Sequence, residues 1–389
     1  MSAGSDTRFA ASEDAYHEAA SKELGLDDFG DPTYREALGR LLRSFDEDAH
    51  LSDLGRAIVR QELIKILKSR LLCEAQLKQH AGECEQEIRR PIIILGLVRT
   101  GSTALHYLMG QDPRIQKLEY WMSANPQPRP PREEWDEHPD FRASQAEIDF
   151  LYKVTPSLMT VHVMRAEWPE ECRHILAQSF TDDRFETSAT LPGYNEWCWS
   201  TPHPETYRRQ KRLVQLIGMQ EPDQRWLLKY PVHLRQLRAL FDVYPDACIV
   251  QTHRDPRTVM ASYTSFVAKV REMHEDRVDM EYIAREQLES WSTAADAGVA
   301  YRREHGSERF FDLHFTDFMA DPIGSVKRIY EHFDQVLSPE GENRIEQWQA
   351  EHPQGKHGQH SYKKDDFGLG ENEILDRFAD YTEFHGMKV

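Results

Sequence analysis

Apolar and polar positions alternate along this chain with two different periods, and the change of period marks the elements. Within residues 33–89, Val59, Leu63, Ile66 and Leu67 recur at i, i+4, i+7 and i+8, which is one face of a helix. The run PIIILGL (91–97) then has no polar position, is β-branched and ends on a glycine, so it reads as a buried strand. The segment from Thr103 to Pro113 returns to a helical pattern. Three further strands are predicted at 225–231 (RWLLKYP), 247–253 (ACIVQTH) and 309–315 (RFFDLHF). Helical patterns at 205–220, 232–243, 256–273 and 281–304 separate them, and a last helix is predicted over 371–384. Strands alternating with helices imply a parallel sheet covered on both faces. The proline-rich stretch 123–141 reads as a long irregular excursion, and 351–370 as a polar, glycine-rich segment. The organisation expected is a helical region (1–88), an α/β core (89–334) and a C-terminal segment (335–389).

The turn GLVRTGST (Gly96 to Thr103) adds chemistry to this outline. It has the G-x-x-x-x-G-K-[ST] spacing of a phosphate-binding loop and the strand–loop–helix context such a loop needs, but Ser102 stands in place of the lysine. Backbone N–H groups and the positive end of the following helix still converge on an anion. Arg99 adds a forked, permanent charge. A sulfuryl group carries less negative charge than a terminal phosphoryl group, so this loop suits it without a metal. A nucleotide kinase would want the missing lysine and an acid after an apolar strand. Asp255 is available, but Arg254 beside it is wrong for Mg²⁺.

Composition narrows the partners. The 389 residues include 66 acidic and 48 basic side chains, a formal charge of −18, which disfavours nucleic acid and anionic membranes. Five scattered cysteines without a CxxC pair suggest neither a zinc site nor a disulfide framework. The polar N-terminus has no signal-peptide pattern and no apolar run is long enough for a bilayer. The expectation is a metal-free protein of a reducing, cytoplasmic compartment.

A second segment makes a resemblance specific. In WLLKYPVHLRQLRALFDVYPDACIVQTHRDPRTVMASYTSF (226–266), Arg254 ends a predicted strand and Ser262 follows eight residues later. This resembles the 3′-phosphate site of sulfotransferases that use 3′-phosphoadenosine 5′-phosphosulfate (PAPS), and Arg99, Thr100, Gly101, Ser102 and Thr103 resemble their 5′-phosphosulfate loop. LLKYPVHL, AEWPEEC and GKHGQHSYKKDDFGL are similar to elements of the bacterial Sulfotransfer_3-type branch. Val98, Met122 and Tyr230 depart from that branch's usual proline, glutamate and serine.

The resemblance implies a P-loop-like sulfotransferase (EC 2.8.2 type) that moves a sulfuryl group from PAPS to a hydroxyl of a small molecule, lipid, glycan or phenol, leaving adenosine 3′,5′-bisphosphate. A non-catalytic relative that only binds nucleotide is the other outcome consistent with the departures. Cofactor contacts are expected from residues 99–103, from Arg254 and Ser262, and from Lys356, His357 and Gly358 in a segment that covers the cofactor. Arg99 is expected at the transferring group and Lys229 near the leaving oxygen. For the base that takes the acceptor's proton, His162 comes first, then His233 and Glu119, with Glu171 a further carboxylate. Trp121, Trp135, Phe141, Trp197 and Trp199 suggest an aromatic pocket wall.

Overall fold

The apolar run at 92–96 forms β1 (Ile92–Gly96), buried at every position. The other strands are β2 (Ile115–Lys117), β3 (Arg225–Lys229), β4 (Cys248–His253) and β5 (Phe310–His314). The computed structural model describes residues 8–154, 163–353 and 368–389. Within the sheet of the described residues every pairing is parallel, in the order β2-β3-β1-β4-β5. The chain places β2 and β3 on one side of β1 and β4 and β5 on the other. The crevice beyond the carboxyl end of β1 is therefore the switch point at which open α/β sheets bind ligands.

Alternation along β1 feeds two apolar layers. Ile93 and Leu95 pack with Leu228 and Ile249 on one face, and Ile92 and Ile94 with Leu227 and Val250 on the other. A third apolar cluster joins the helices Tyr34–Glu47 and Asp53–Gln79 through Leu38, Leu41, Leu42, Val59, Leu63, Ile66 and Leu67. Phe180 and Phe185 belong to the same cluster.

Several expectations change in detail. The strand β2 is absent from the sequence reading. The stretch 123–141 is less irregular than expected, since Arg132–Glu137 is a 3₁₀ turn and Pro139–Val154 a helix opened by proline. Trp121 is fully buried and packs its ring against Trp135 (5.4 Å) and Phe141 (5.8 Å), making this excursion part of the core. Trp199 and Trp291 sandwich the Arg235 guanidinium at 4.4 and 4.3 Å, and Arg40 covers Trp197. Of the five aromatics expected at a pocket wall, Trp121 and Trp199 are thus packing residues. The terminal helix is broken at Phe378 into Glu371–Arg377 and Ala379–Phe384. Tyr381 and His385 tie it to the sheet, through His253 on β4 (2.6 Å) and Asp312 on β5 (3.3 Å). Asp312, His253 and His385 have metal-ligand types, but the Arg302 fork already takes both Asp312 oxygens at 2.6 and 2.8 Å.

Candidate active site

Two glycines make the turn after β1 possible. Gly96 has φ +137°, and a Cβ there would stand 2.4 Å from the Thr252 carbonyl on β4. Gly101 has φ +86°, caps the helix Ser102–Met109 and lies against the Phe315 ring. Arg99 itself adopts φ +62°, which a non-glycine residue takes only where its surroundings hold it. Thr100 supplies part of that hold, its hydroxyl bonding the Leu97 carbonyl (2.8 Å) and Thr252 (2.6 Å).

Arg254 supplies the rest. It follows β4, donates to the Arg99 carbonyl at 3.0 Å and lays its guanidinium 4.2 Å over Phe315. Arg99 Nε reaches Ser262 Oγ at 3.2 Å, on the helix Pro256–Arg271. Asp255 caps that helix through the Arg257 N–H. The two segments singled out in the sequence therefore meet, joined by hydrogen bonds in both directions.

Lys229, at the end of β3, is 1% exposed and donates to Thr103 Oγ1 at 2.9 Å, beside the helix N-terminus. This brings in from the neighbouring strand the cation that the loop lacks at Ser102. Lys229 also pairs with the Glu171 carboxylate. The peptide of Glu171 is fixed on both sides, since Glu170 N–H bonds the Leu118 carbonyl (2.7 Å) and Cys172 N–H the Lys229 carbonyl (3.0 Å). Glu171 keeps 19% of its side chain exposed, so the pair is anchored yet open to a small molecule.

The other candidate bases stand elsewhere. His233 is fully buried, with Nδ1 on the Tyr207 hydroxyl (2.9 Å), and burial pushes its pKa down to about 3. A ring so placed meets no solvent and stays neutral, which corrects its expected place at the acceptor. Glu119 is bound by Arg129 (3.1 Å) in a cleft beside β2, not at the loop. His162, Lys356, His357 and Gly358 lie outside the described residues. Met122 is enclosed in the core.

Sequence reasoning missed an acidic pair next to this site. Tyr230, directly after Lys229, has its hydroxyl 2.9 Å from Asp182 Oδ2 and also within hydrogen-bond reach of Asp183. A phenol carries one proton, so it donates to only one of the two carboxyls at a time. Burial raises the pKa of each, to about 7 for Asp182 and about 6 for Asp183, so near neutrality the pair shares a proton. The adjacent acids in TDDR, directly after ILAQSF, were the available signal.

This pair has a testable pH signature. In the unfolded chain both aspartates lose their protons near pH 4, whereas the folded pair holds on toward neutrality. The pair therefore costs stability as pH rises between about 4 and 7. Asp183→Asn removes part of that cost, so its Tm relative to the parent should climb from pH 5 to about pH 7 and then level off. Parallel Tm profiles would contradict the shared proton.

The parallel sheet with its binding turn beyond β1 is the P-loop-like α/β class, here with a lysine lent by a neighbouring strand. Within that class the chain belongs to the sulfotransferase family: the Sulfotransfer_3 family model, described as "Sulfotransferase family", matches residues 91–339. Two solved structures support this over the whole chain. The sulfotransferase STF1 of Mycobacterium tuberculosis is 38% identical, with a TM-score of 0.88, covering 96% of this chain and 100% of its own. The sulfotransferase STF9 of Mycobacterium avium is 26% identical, with a TM-score of 0.90, covering 100% and 99%. A curated relative, omega-hydroxy-beta-dihydromenaquinone-9 sulfotransferase of Mycobacterium bovis, is 23% identical over 166 residues, 39% of this chain and 40% of that protein.

Proposed function

We propose that this protein transfers a sulfuryl group from PAPS to a hydroxyl of a small-molecule or lipid acceptor, with the Lys229–Glu171 pair at the reacting end of the site. The observation that carries the reading is the placement of Lys229 between Thr103 and Glu171, at the turn that Arg99 links to Ser262. When bound, PAPS would supply an activated sulfuryl group on a phosphate leaving group. Arg254 and Ser262 would hold its 3′-phosphate, and residues 99–103 the 5′ end.

The chain's own residues then divide the work. Glu171 accepts the acceptor's proton as the oxygen–sulfur bond forms. Lys229 and Arg99 would stabilise negative charge at the leaving-group end of a bound donor. Lys229 also orients Glu171, so the pair is set before the acceptor arrives. The expected 356–358 contacts remain part of this proposal. So does a cytoplasmic location, which the free state of all five cysteines supports. Among the described residues no helix is long and apolar enough to cross a membrane. The relative named for a menaquinone derivative lends weight to a lipid acceptor.

The donor is tested by thermal stabilisation. Adenosine 3′,5′-bisphosphate at about 100 times its Kd should add roughly 2.7 kcal/mol of stability, and ATP with Mg²⁺ much less. Equal or larger stabilisation by ATP would replace this reading with a kinase.

A further inference from the structure

We infer that the cleft beside β2 is a second ligand site, shaped for a singly charged oxyanion carried on an aromatic ring. The cleft is about 480 Å³ and contains no residue of the 97–103 turn. Glu119 and Glu221 are taken by Arg129 (3.1 and 3.5 Å), and Glu167 by Arg132 (2.9 Å). Arg344, also in the lining, is paired as well, with Glu340 (2.7 Å), so each arginine of the cleft has a carboxylate and Lys117 is the cation left over.

Among the described residues the Lys117 ammonium has no hydrogen-bond or ion-pair partner, although its backbone carbonyl accepts from Arg129. Burial lowers its pKa, and Arg129 and Arg344 push the same way against Glu119 and Glu221. An ammonium so placed is stabilised by an anion that enters the cleft. The shape of the ligand follows from the walls. Trp168 and Trp348 meet at 5.0 Å and 69°, and Trp135 also lines the cleft. His352 stacks on one face of Trp348 (4.0 Å) and Arg132 on one face of Trp135 (4.9 Å), and the ring surface these leave is where a flat ligand would pack. A carboxylate and a sulfate or sulfonate share the required chemistry.

The test uses the full chain and calorimetric titration with two probes, naphthalene-2-sulfonate and 2-naphthoate, and with uncharged 2-naphthol as the control. At least one anion should bind 1:1, about tenfold or more tighter than 2-naphthol, with the same affinity when adenosine 3′,5′-bisphosphate is saturating. Lys117→Met should weaken it by about tenfold or more, and Lys117→Arg should retain it. A difference between the two probes decides between carboxylate and sulfonate. Absence of anion binding overturns the inference, as does displacement by adenosine 3′,5′-bisphosphate, which would place the probe at the turn. Equal affinity in Lys117→Met overturns it too, and the arginine variant separates that result from misfolding. Because the probes are first scored without nucleotide, the result does not depend on whether PAPS is the donor.

Discussion

Lys229→Met is expected to lower turnover by on the order of 10²–10³-fold while affinity for adenosine 3′,5′-bisphosphate changes by less than about threefold. The ammonium contacts Thr103 and Glu171, not the Arg254 side of the site, so its loss falls on the reacting end. Methionine keeps the unbranched length and fills the buried channel beside β3. Glu171→Gln should show a loss of about 10²–10⁴-fold, the range for removing a general base, again with the nucleotide still bound. Each single variant leaves a partly buried charge without its partner, so both should lose Tm. The double variant should regain Tm without regaining turnover. A Lys229→Met protein with unchanged turnover would remove this pair from the mechanism. Activity in Glu171→Gln with a normal pH profile would move the base elsewhere.

Arg254→Ala is expected to weaken adenosine 3′,5′-bisphosphate binding by roughly 10–100-fold, the loss of a charge-assisted fork to a phosphate. The effect has two parts. Arg254 would meet the phosphate directly, and it also holds the Arg99 carbonyl in a left-handed turn. Arg254→Lys keeps the charge but not the fork, so it should recover only part of the affinity. Arg99→Ala should instead act mainly on turnover, because its proposed contact would strengthen as charge develops at the bridging oxygen. Titration calorimetry and initial rates separate the two. An Arg254→Ala protein that binds within a factor of about two of the parent would remove the arginine from the phosphate site.

The elements that were legible in the sequence are those whose signal is local. β1, β3, β4 and β5 are short apolar runs, and each could be read from its own residues. β2 is three residues, Ile-Gln-Lys, too short to show alternation, and only pairing with β3 defines it. The two segments proposed to hold the donor were legible because fixed spacing within one turn carries their chemistry. Their mutual contact is 163 residues apart in sequence and could not be read. Neither could the carboxylate proposed as proton acceptor. Lys229 and Glu171 are 58 positions apart, and nothing local distinguishes Glu171 from Glu119. His233 was misplaced for a related reason: a histidine after a strand end can face the crevice or the core, and the Tyr207 hydroxyl that holds it inside comes from another helix.

The sheet's short outer strand has a consequence for solubility. A free strand edge is a template for pairing with another chain. Here the Lys117 carbonyl is taken by the Arg129 guanidinium (2.6 Å), and the Leu118 carbonyl by the Glu170 N–H. Arg129 thus acts as a stopper against edge-to-edge aggregation as well as a wall of the cleft. Truncating it to study ligand binding would also unblock the edge, and precipitation could then pass for lost affinity. Lys117, whose side chain takes no part in closing that edge, is the cleaner position from which to probe the cleft.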